Sequence, residues 1–245
     1  MRRCLALLTA TIDPAGMVAT ARQDPELRLL DYTHAIHTWI DDPRVERIVI
    51  GENSGHRLSE LIDSCEARNH RGLPIEWIET TPQVGASPRG KGYGEGQIIT
   101  EMFERSNMLK EYKGVIAKCS GRYRVLNLES GLDVDWNDTL VRCDLTRGLT
   151  WAKSVCFFAR VPFYTENLVP RLADVDESIG VYFETVLARA VHAVLADGGG
   201  WGPTQSPVQA VGVSGTTGAH TVAGPLTRGR RELFHRLKYA AIRRK

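Results

Sequence analysis

Cys4-Leu5-Ala6-Leu7-Leu8-Thr9-Ala10-Thr11-Ile12 is a short, largely apolar run closed by Asp13-Pro14. Apolar at odd and even positions alike, it reads as a strand buried on both faces, which is the habit of parallel sheets. Met1-Arg2-Arg3 ahead of it imitates the start of a signal peptide, but the apolar part lasts only about five residues before Thr9 and Thr11 interrupt it.

The pattern then alternates. Asp24-Pro25-Glu26 offers a capping Asp, a Pro at the first helical position and an acid in the first turn, so a helix is expected over residues 24–41. Its inward stripe is Leu29, Tyr32, Ile36 and Trp39, with Arg28, Asp31, His34 and His37 on other faces. Residues 45–50 give a second apolar strand ending in Gly51-Glu52-Asn53-Ser54-Gly55, residues 58–67 a second helix, and residues 74–78 a third strand. After a polar loop over 80–88, Ile98, Ile99, Met102, Phe103 and Leu109 keep helical spacing, and residues 114–117 form the next buried strand. This βαβα order predicts an α/β fold: a mostly parallel sheet flanked by helices, with ligands beyond the carboxyl ends of its strands. The loops at those ends, 9–22, 52–55, 80–95 and 118–123, carry the chemistry-bearing motifs of the first half.

The second half is less regular. Strands are expected at 124–128, 139–143, 150–158 and 208–213, a helix at 179–195 stopped by Asp197-Gly198-Gly199-Gly200, and a basic helix at 227–244 with Leu233, Phe234, Leu237, Ala241 and Ile242 on one side. With no repeat and no low-complexity linker, the chain reads as one continuous domain of two halves, 1–130 and 131–245.

Composition narrows the classes. The 245 residues are 42% hydrophobic and 24% charged, an ordinary globular balance. A net charge of +2 is too mild for a nucleic-acid binder, and the basic C-terminal end lacks interleaved stacking aromatics apart from Phe234 and Tyr239. Five cysteines without a Cys-x-x-Cys pair point to neither a disulfide framework nor structural zinc, and fit a reducing cytoplasm. No apolar run approaches the length of a membrane-spanning helix.

Arg89-Gly90-Lys91-Gly92-Tyr93-Gly94-Glu95-Gly96 reads as a phosphate-binding stretch, its glycines exposing backbone amides ahead of a helix expected to begin near Glu95. The competing reading is a solvated surface loop. Gly85 to Lys91 also meets the P-loop spacing, but Gly92 stands where a Ser or Thr must hold magnesium. In Lys118-Cys119-Ser120-Gly121-Arg122-Tyr123 a strand ends and turns, and Arg122 either binds phosphate or makes a structural ion pair. Glu52-Asn53-Ser54 either recognises a base or ribose or serves as turn and cap residues. Asp133 and Asp135 have a metal-binding spacing, with solvated loop acids the favoured alternative. Glu184 lies on an otherwise apolar helix face, which makes it a candidate general base with a shifted pKa or the partner of Arg189 or Arg142.

Thr9-Ala10-Thr11-Ile12-Asp13-Pro14, Arg28, Tyr32, Glu52-Asn53-Ser54, Gly90 through Glu95, Lys118 through Tyr123 and Asn127 together resemble bacterial glycosyltransferases found with capsule and O-antigen genes, of the GT-A class. The resemblance covers residues 1–130 well and the rest weakly. It implies a GT-A-like (Rossmann-like) fold and transfer of a hexosyl-type sugar from a nucleotide-sugar donor to a saccharide, or lipid-linked saccharide, hydroxyl. The implied donor-binding residues are Thr9, Thr11, Glu52, Asn53, Ser54, Arg89, Lys91, Gly92, Tyr93, Glu95, Lys118, Gly121, Arg122 and Tyr123. Most such enzymes end the strand before 118 in a metal-binding Asp-x-Asp, where this chain has Lys118-Cys119-Ser120-Gly121-Arg122. Lys91, Lys118 and Arg122 are therefore expected to neutralise the leaving diphosphate, with no cofactor required and Mn or Mg an optional addition. Glu184 is the first choice of catalytic base and Asp135 the second. The basic helix could rest on an anionic membrane, placing the protein in the cytoplasm at the inner face of the membrane. A nucleotide-dependent phosphotransferase and a non-catalytic nucleotide or sugar-phosphate binder are the alternatives.

Overall fold

The computed structural model describes residues 1–14, 20–81, 88–214, 217–219 and 225–240. Gly85 of the P-loop spacing, and Ala241 and Ile242 of the expected basic helix, lie outside the described residues.

The first half alternates as the sequence predicts: β1 (Cys4–Ala10), α1 (Pro25–Asp41), β2 (Val45–Glu52), α2 (Ser59–Arg68), β3 (Ile75–Glu79), α3 (Lys91–Arg105), α4 (Asn107–Glu111) and β4 (Val115–Ser120). Then come β5 (Tyr123–Val125), α5 (Glu129–Leu132), β6 (Thr139–Arg142), β7 (Leu145–Thr146), β8 (Trp151–Ala152), β9 (Cys156–Arg160), α6 (Phe183–Ala196), β10 (Gly200–Gly202), β11 (Ala210–Gly212) and α7 (Pro225–Tyr239). A π-helical segment, Phe163–Leu168, and two 3-10 segments, Val169–Asp174 and Glu177–Ile179, link β9 to α6. The expected strand at 150–158 is thus two strands, and the expected helix at 179–195 begins only at Phe183, because Gly180 turns left-handed (φ 79°) and Asp176 bridges Val181.

Seven strands form one sheet in the order β10-β6-β9-β4-β1-β2-β3. All neighbours run parallel except at β9, which is antiparallel to both β4 and β6. Alternate side chains of β1 explain its unbroken apolar run. Leu5 and Leu7 pack with α3 and α6 on one face, through Ile98, Met102 and Val191, while Cys4, Ala6 and Leu8 pack with α1 and α2 on the other, through Ile36, Trp39 and Leu61. The result is a three-layer single domain.

Helix α1 starts as its sequence dictates, with the Asp24 carboxylate accepting from the Glu26 and Leu27 amides at 2.9 and 3.3 Å and Pro25 at the first helical position. Its inner face differs from the expected stripe by one residue of consequence: Arg28 is buried with Tyr32, Ile36 and Trp39.

Candidate functional site

The strand order reverses direction between β1 and β4, whose carboxyl ends stand side by side with Thr9 between Gly51 and Ser120 in register. In open α/β sheets such a reversal opens a crevice beyond the strand ends. Gly121 follows β4 so closely against β1 that its amide donates to the Thr9 carbonyl at 2.8 Å, and a Cβ there would lie 3.2 Å from that oxygen and from the Tyr32 ring. This close approach turns Arg122 back over the crevice.

Two guanidinium groups meet here. Arg28, 4% exposed, donates from Nε to the carbonyls of Thr11 and Ile12 at 2.8 and 3.0 Å and from Nη1 to that of Arg22 at 3.2 Å. These carbonyls hold the arginine without neutralising it. Arg122 lies 5.7 Å from the centre of the Tyr32 ring, which Arg28 faces at 6.0 Å. Burial, and the Arg122 charge beside it, hold the Arg28 guanidinium below its usual pKa despite the Tyr32 hydroxyl. The Nε and Nη1 of Arg122 are buried and have no hydrogen-bond partner among the described residues. Buried N–H groups ordinarily find acceptors, so two unanswered donors on one side chain make Arg122 a candidate anion contact.

The loop after β2 is a staple. Glu52, 1% exposed, accepts from the Ile12 amide at 2.9 Å and from the Ser54 amide and hydroxyl, Asn53 Oδ1 accepts from Thr11 Oγ1 at 2.6 Å, and Ser54 Oγ accepts from the Asp13 amide at 3.0 Å. These side chains tie the loops after β1 and β2 together at the crevice wall, the turn-and-cap role that the sequence left open.

The glycine stretch differs from its expected form. Helix α3 begins at Lys91, not near Glu95, and Gly92, Gly94 and Gly96 are buried within it. Gly90 precedes it with φ 89°, a left-handed value that favours glycine. At Gly92 a Cβ would stand 2.7 Å from Glu177 Oε1 and 3.3 Å from Phe183 Cβ, and the Gly92 amide donates to Glu177 Oε1 at 2.9 Å. The glycines therefore admit the segment before α6, and a carboxylate of this chain occupies part of the helix N-terminus. Arg89 and Tyr93 join the same contact: the Arg89 guanidinium lies 4.2 Å over the Tyr93 ring and 3.6 Å from Asp176 Oδ2.

Lys118 does not project into the corner after β4 as expected, because β4 continues to Ser120 and carries Lys118 inside. Its side chain is 1% exposed, and Nζ donates to Glu95 Oε1 at 2.5 Å and to the Ser154 carbonyl at 3.3 Å. Glu95 Oε1 also accepts from Thr9 Oγ1 at 3.0 Å. Ser154, just before β9, donates from Oγ to Glu184 Oε1 at 2.7 Å. One polar chain thus runs from Thr9 through Glu95, Lys118 and Ser154 to Glu184, which lies in the first turn of α6 with Ser154, rather than Arg189 or Arg142, as its hydrogen-bond partner.

Asp135 is not brought to this rim. It precedes β6, which runs parallel to β4, so it sits at the amino end of the sheet, exposed, accepting from the Asn137 amide at 2.9 Å. The period-blind Asp-x-Asp spacing of 133 and 135 is a solvated loop.

Several rim residues carried no sequence signal. Asp144, following β6, is 4% exposed and accepts from Thr204 Oγ1 at 3.0 Å, from His235 of α7 at 2.9 Å and from Lys153 Nζ at 3.2 Å. His235 and Tyr239 are buried in this contact, the Tyr239 hydroxyl donating to the Leu145 carbonyl at 2.7 Å. Helix α7 therefore docks by these two residues while Leu233, Phe234 and Leu237, which the sequence puts on one side, are 59%, 65% and 68% exposed. A lone Asp and a lone His ninety residues apart cannot be paired without the fold.

Among the described residues no three His, Cys, Asp or Glu side chains converge, and two rim carboxylates, Glu52 and Glu95, are committed to amides, hydroxyls and Lys118.

No protein-family model and no curated protein matches the chain. Among solved structures, a mannosyltransferase from Pyrobaculum calidifontis in complex with GDP-Man and Mn2+ matches at TM-score 0.50 and 12% identity, over 99% of this chain and 65% of its own. A putative nucleotide-diphospho-sugar transferase from Desulfovibrio desulfuricans G20 matches at TM-score 0.48 and 9% identity, over 83% and 80%. A 4-diphosphocytidyl-2C-methyl-D-erythritol synthase matches at TM-score 0.43 and 12% identity, over 96% and 100%. The mannosyltransferase match, with the sheet order above, gives the chain a GT-A-like nucleotide-sugar transferase fold.

Proposed function

We propose that the protein is a hexosyl-type glycosyltransferase that moves a sugar from a nucleotide-sugar donor to a saccharide hydroxyl in capsule or O-antigen synthesis. The observation that carries this is Arg122, whose two unanswered donors sit beside the uncompensated Arg28 at the strand-order reversal. A diphosphate placed there accepts from Arg122 Nε and Nη1, and the paired guanidinium charges stabilise the negative charge that grows on it as the glycosidic bond breaks. Thr9, Thr11, Glu52, Asn53, Ser54, Gly121 and Tyr123 form the wall of this donor crevice, and Lys91, at the start of α3, adds a third cation. Lys118, already engaged by Glu95, positions Glu95 and Thr9 rather than touching the donor.

In the transfer step, Glu184 accepts the proton of the acceptor hydroxyl, the freed oxygen bonds to the anomeric carbon, and the electron pair of the broken carbon–oxygen bond leaves on the nucleoside diphosphate. Ser154 orients Glu184 through Oε1. Because arginine side chains line the crevice, we place charge neutralisation on them and expect weak dependence on a divalent metal.

Helix α7 presents Leu233, Phe234 and Leu237 beside the exposed Arg230 and Arg236. This pairing of apolar and basic groups suits an anionic membrane surface, about 1 kcal/mol for each basic residue near it, and favours a lipid-linked acceptor at the inner face of the membrane.

Thermal-shift screening against UDP-, GDP-, dTDP- and CMP-sugars and ATP tests the central claim. One nucleotide sugar is expected to stabilise the wild type, and Arg122→Ala to weaken that binding by about 10- to 100-fold, the worth of a charge-assisted hydrogen bond. Stabilisation by ATP alone, or undiminished binding in the variant, refutes it.

A further inference from the structure

A cavity of about 910 Å3 opens between β8, β11, α6 and α7. Trp151, Ser154, Glu184 and the Asp144–His235 pair all reach it. Its charge is lopsided. Arg124, Lys153, Arg231 and Lys238 line it against Glu184, Glu232 and Asp144, and the Asp144 carboxylate is already consumed by Thr204, His235 and Lys153. Lys238 leans its ammonium on the Leu145 carbonyl, 5.1 Å from the Tyr239 ring. Burial, and the Lys153 charge close by, hold it below the usual lysine pKa although Asp144 pulls the other way. Two ammonium groups therefore stand at the cavity wall with one carboxylate near them, paired to Lys153 alone at 3.2 Å while Lys238 has only a backbone carbonyl among the described residues, and a neutral occupant adds nothing to balance them.

We propose that this cavity takes the acceptor and that the acceptor bears an anionic group, phosphate or carboxylate, held between Lys153 and Lys238. The proposal rests on the glycosyltransferase reading and adds the acceptor's chemical class to it. Lys153 and Ser154 are consecutive, and Ser154 holds Glu184 at 2.7 Å, so one saccharide can present a hydroxyl to Glu184 and its charge to Lys153. Trp151, half-buried with the Arg147 guanidinium 4.0 Å from its ring and tilted 53° against Tyr182, supplies a fixed flat wall of the kind sugar rings pack on.

Ligand-observed NMR titration of the full chain with methyl glucoside, methyl glucuronoside and glucose 6-phosphate tests this, and the last two separate carboxylate from phosphate. At least one acidic sugar is expected to bind the wild type about tenfold or more tighter than methyl glucoside. Lys153→Gln/Lys238→Gln should remove that preference, and Lys153→Arg/Lys238→Arg and Arg122→Ala should keep it. Equal binding of acidic and neutral sugars, no binding of any, or persistence of the preference in the Gln pair overturns the proposal. So does its loss in Arg122→Ala, which would place the anion in the donor crevice. Nucleotide-sugar stabilisation, measured on the same samples, reports the donor reading separately, and the thermal unfolding transition of each variant without ligand shows that it is folded. Should the Gln pair not fold, Lys238→Gln alone, which leaves every Asp144 partner in place, decides by the same criterion.

Discussion

Glu95→Gln isolates the role of the buried pair at the centre of the rim. Lys118 and Glu95 are 1% and 26% exposed, and among the described residues the ammonium meets the Glu95 carboxylate at 2.5 Å, the Ser154 carbonyl at 3.3 Å and the faces of Phe157 and Phe183 at 5.9 and 5.2 Å. Neutralising Glu95 leaves that ammonium sealed from water without a counter-charge, a change that costs about 3–5 kcal/mol in buried pairs. The partial exposure of Glu95 and the acceptor oxygen kept by Gln place the expected loss near the lower end, at about 3 kcal/mol. For a chain of this length that is a fall in Tm of about 6–12 °C. Lys118→Met leaves a carboxylate that still accepts from Thr9 Oγ1 at 3.0 Å and reaches solvent, so about 1–2 kcal/mol is expected. The double variant has no stranded charge and should recover much of the Glu95→Gln loss, giving a coupling of at least about 1 kcal/mol in a double-mutant cycle by urea denaturation. A Glu95→Gln cost below about 1 kcal/mol, or strict additivity, would show that the pair is not held as described.

Glu184→Gln should lower transfer by about 10²- to 10⁴-fold while nucleotide-sugar stabilisation persists; wild-type turnover in that variant ends its assignment as base. Treatment with EDTA should leave most of the transfer rate, and activity that is abolished and then restored by manganese would contradict neutralisation by arginine. The Asp144 carboxyl experiences burial, which alone would raise its pKa, but the His235 hydrogen bond, the Lys153 charge and the Thr204 hydroxyl hold it below the usual carboxylate value. Its stabilising contribution is therefore complete above the unfolded carboxyl pKa of about 3.9 and disappears as pH falls through the lower folded value. Thermal melts across that acid range should show a steep loss of stability in the wild type and a flatter one in Asp144→Asn, and parallel curves would remove Asp144 from the account.

The first half of the sheet was readable because its signals are local. An apolar run short enough for a strand and apolar on both faces could only be β1 or β4, and Asp24-Pro25-Glu26 states its own capping geometry. The glycine stretch misled for a physical reason. Glycine's poor helix propensity makes Gly92-Tyr93-Gly94 look like loop, whereas the packing of Glu177 and Phe183, distant in sequence, compensates that cost and draws the stretch into α3. Lys118 was misplaced because a strand's end cannot be located from a lysine, which reads as exposed until a carboxylate such as Glu95 is found opposite it. The wall where β6 meets α7 was nearly illegible. Asp144, His235 and Lys153 become a group only when β6 and α7 meet, and nothing in a basic amphipathic segment announces that its histidine and tyrosine, rather than its leucines, face inward.

The reversed polarity of β9 has a consequence for how such a chain can diversify. Because β9 is antiparallel to its neighbour β6, residues 143–155 connect them as a hairpin excursion at one end of the sheet, anchored in the core by Cys143, Leu145 and Ala152. Its lengthening or rewording would reshape the cavity wall at Trp151, Lys153 and Ser154 while every ladder bond of β1, β2 and β4 stays in register.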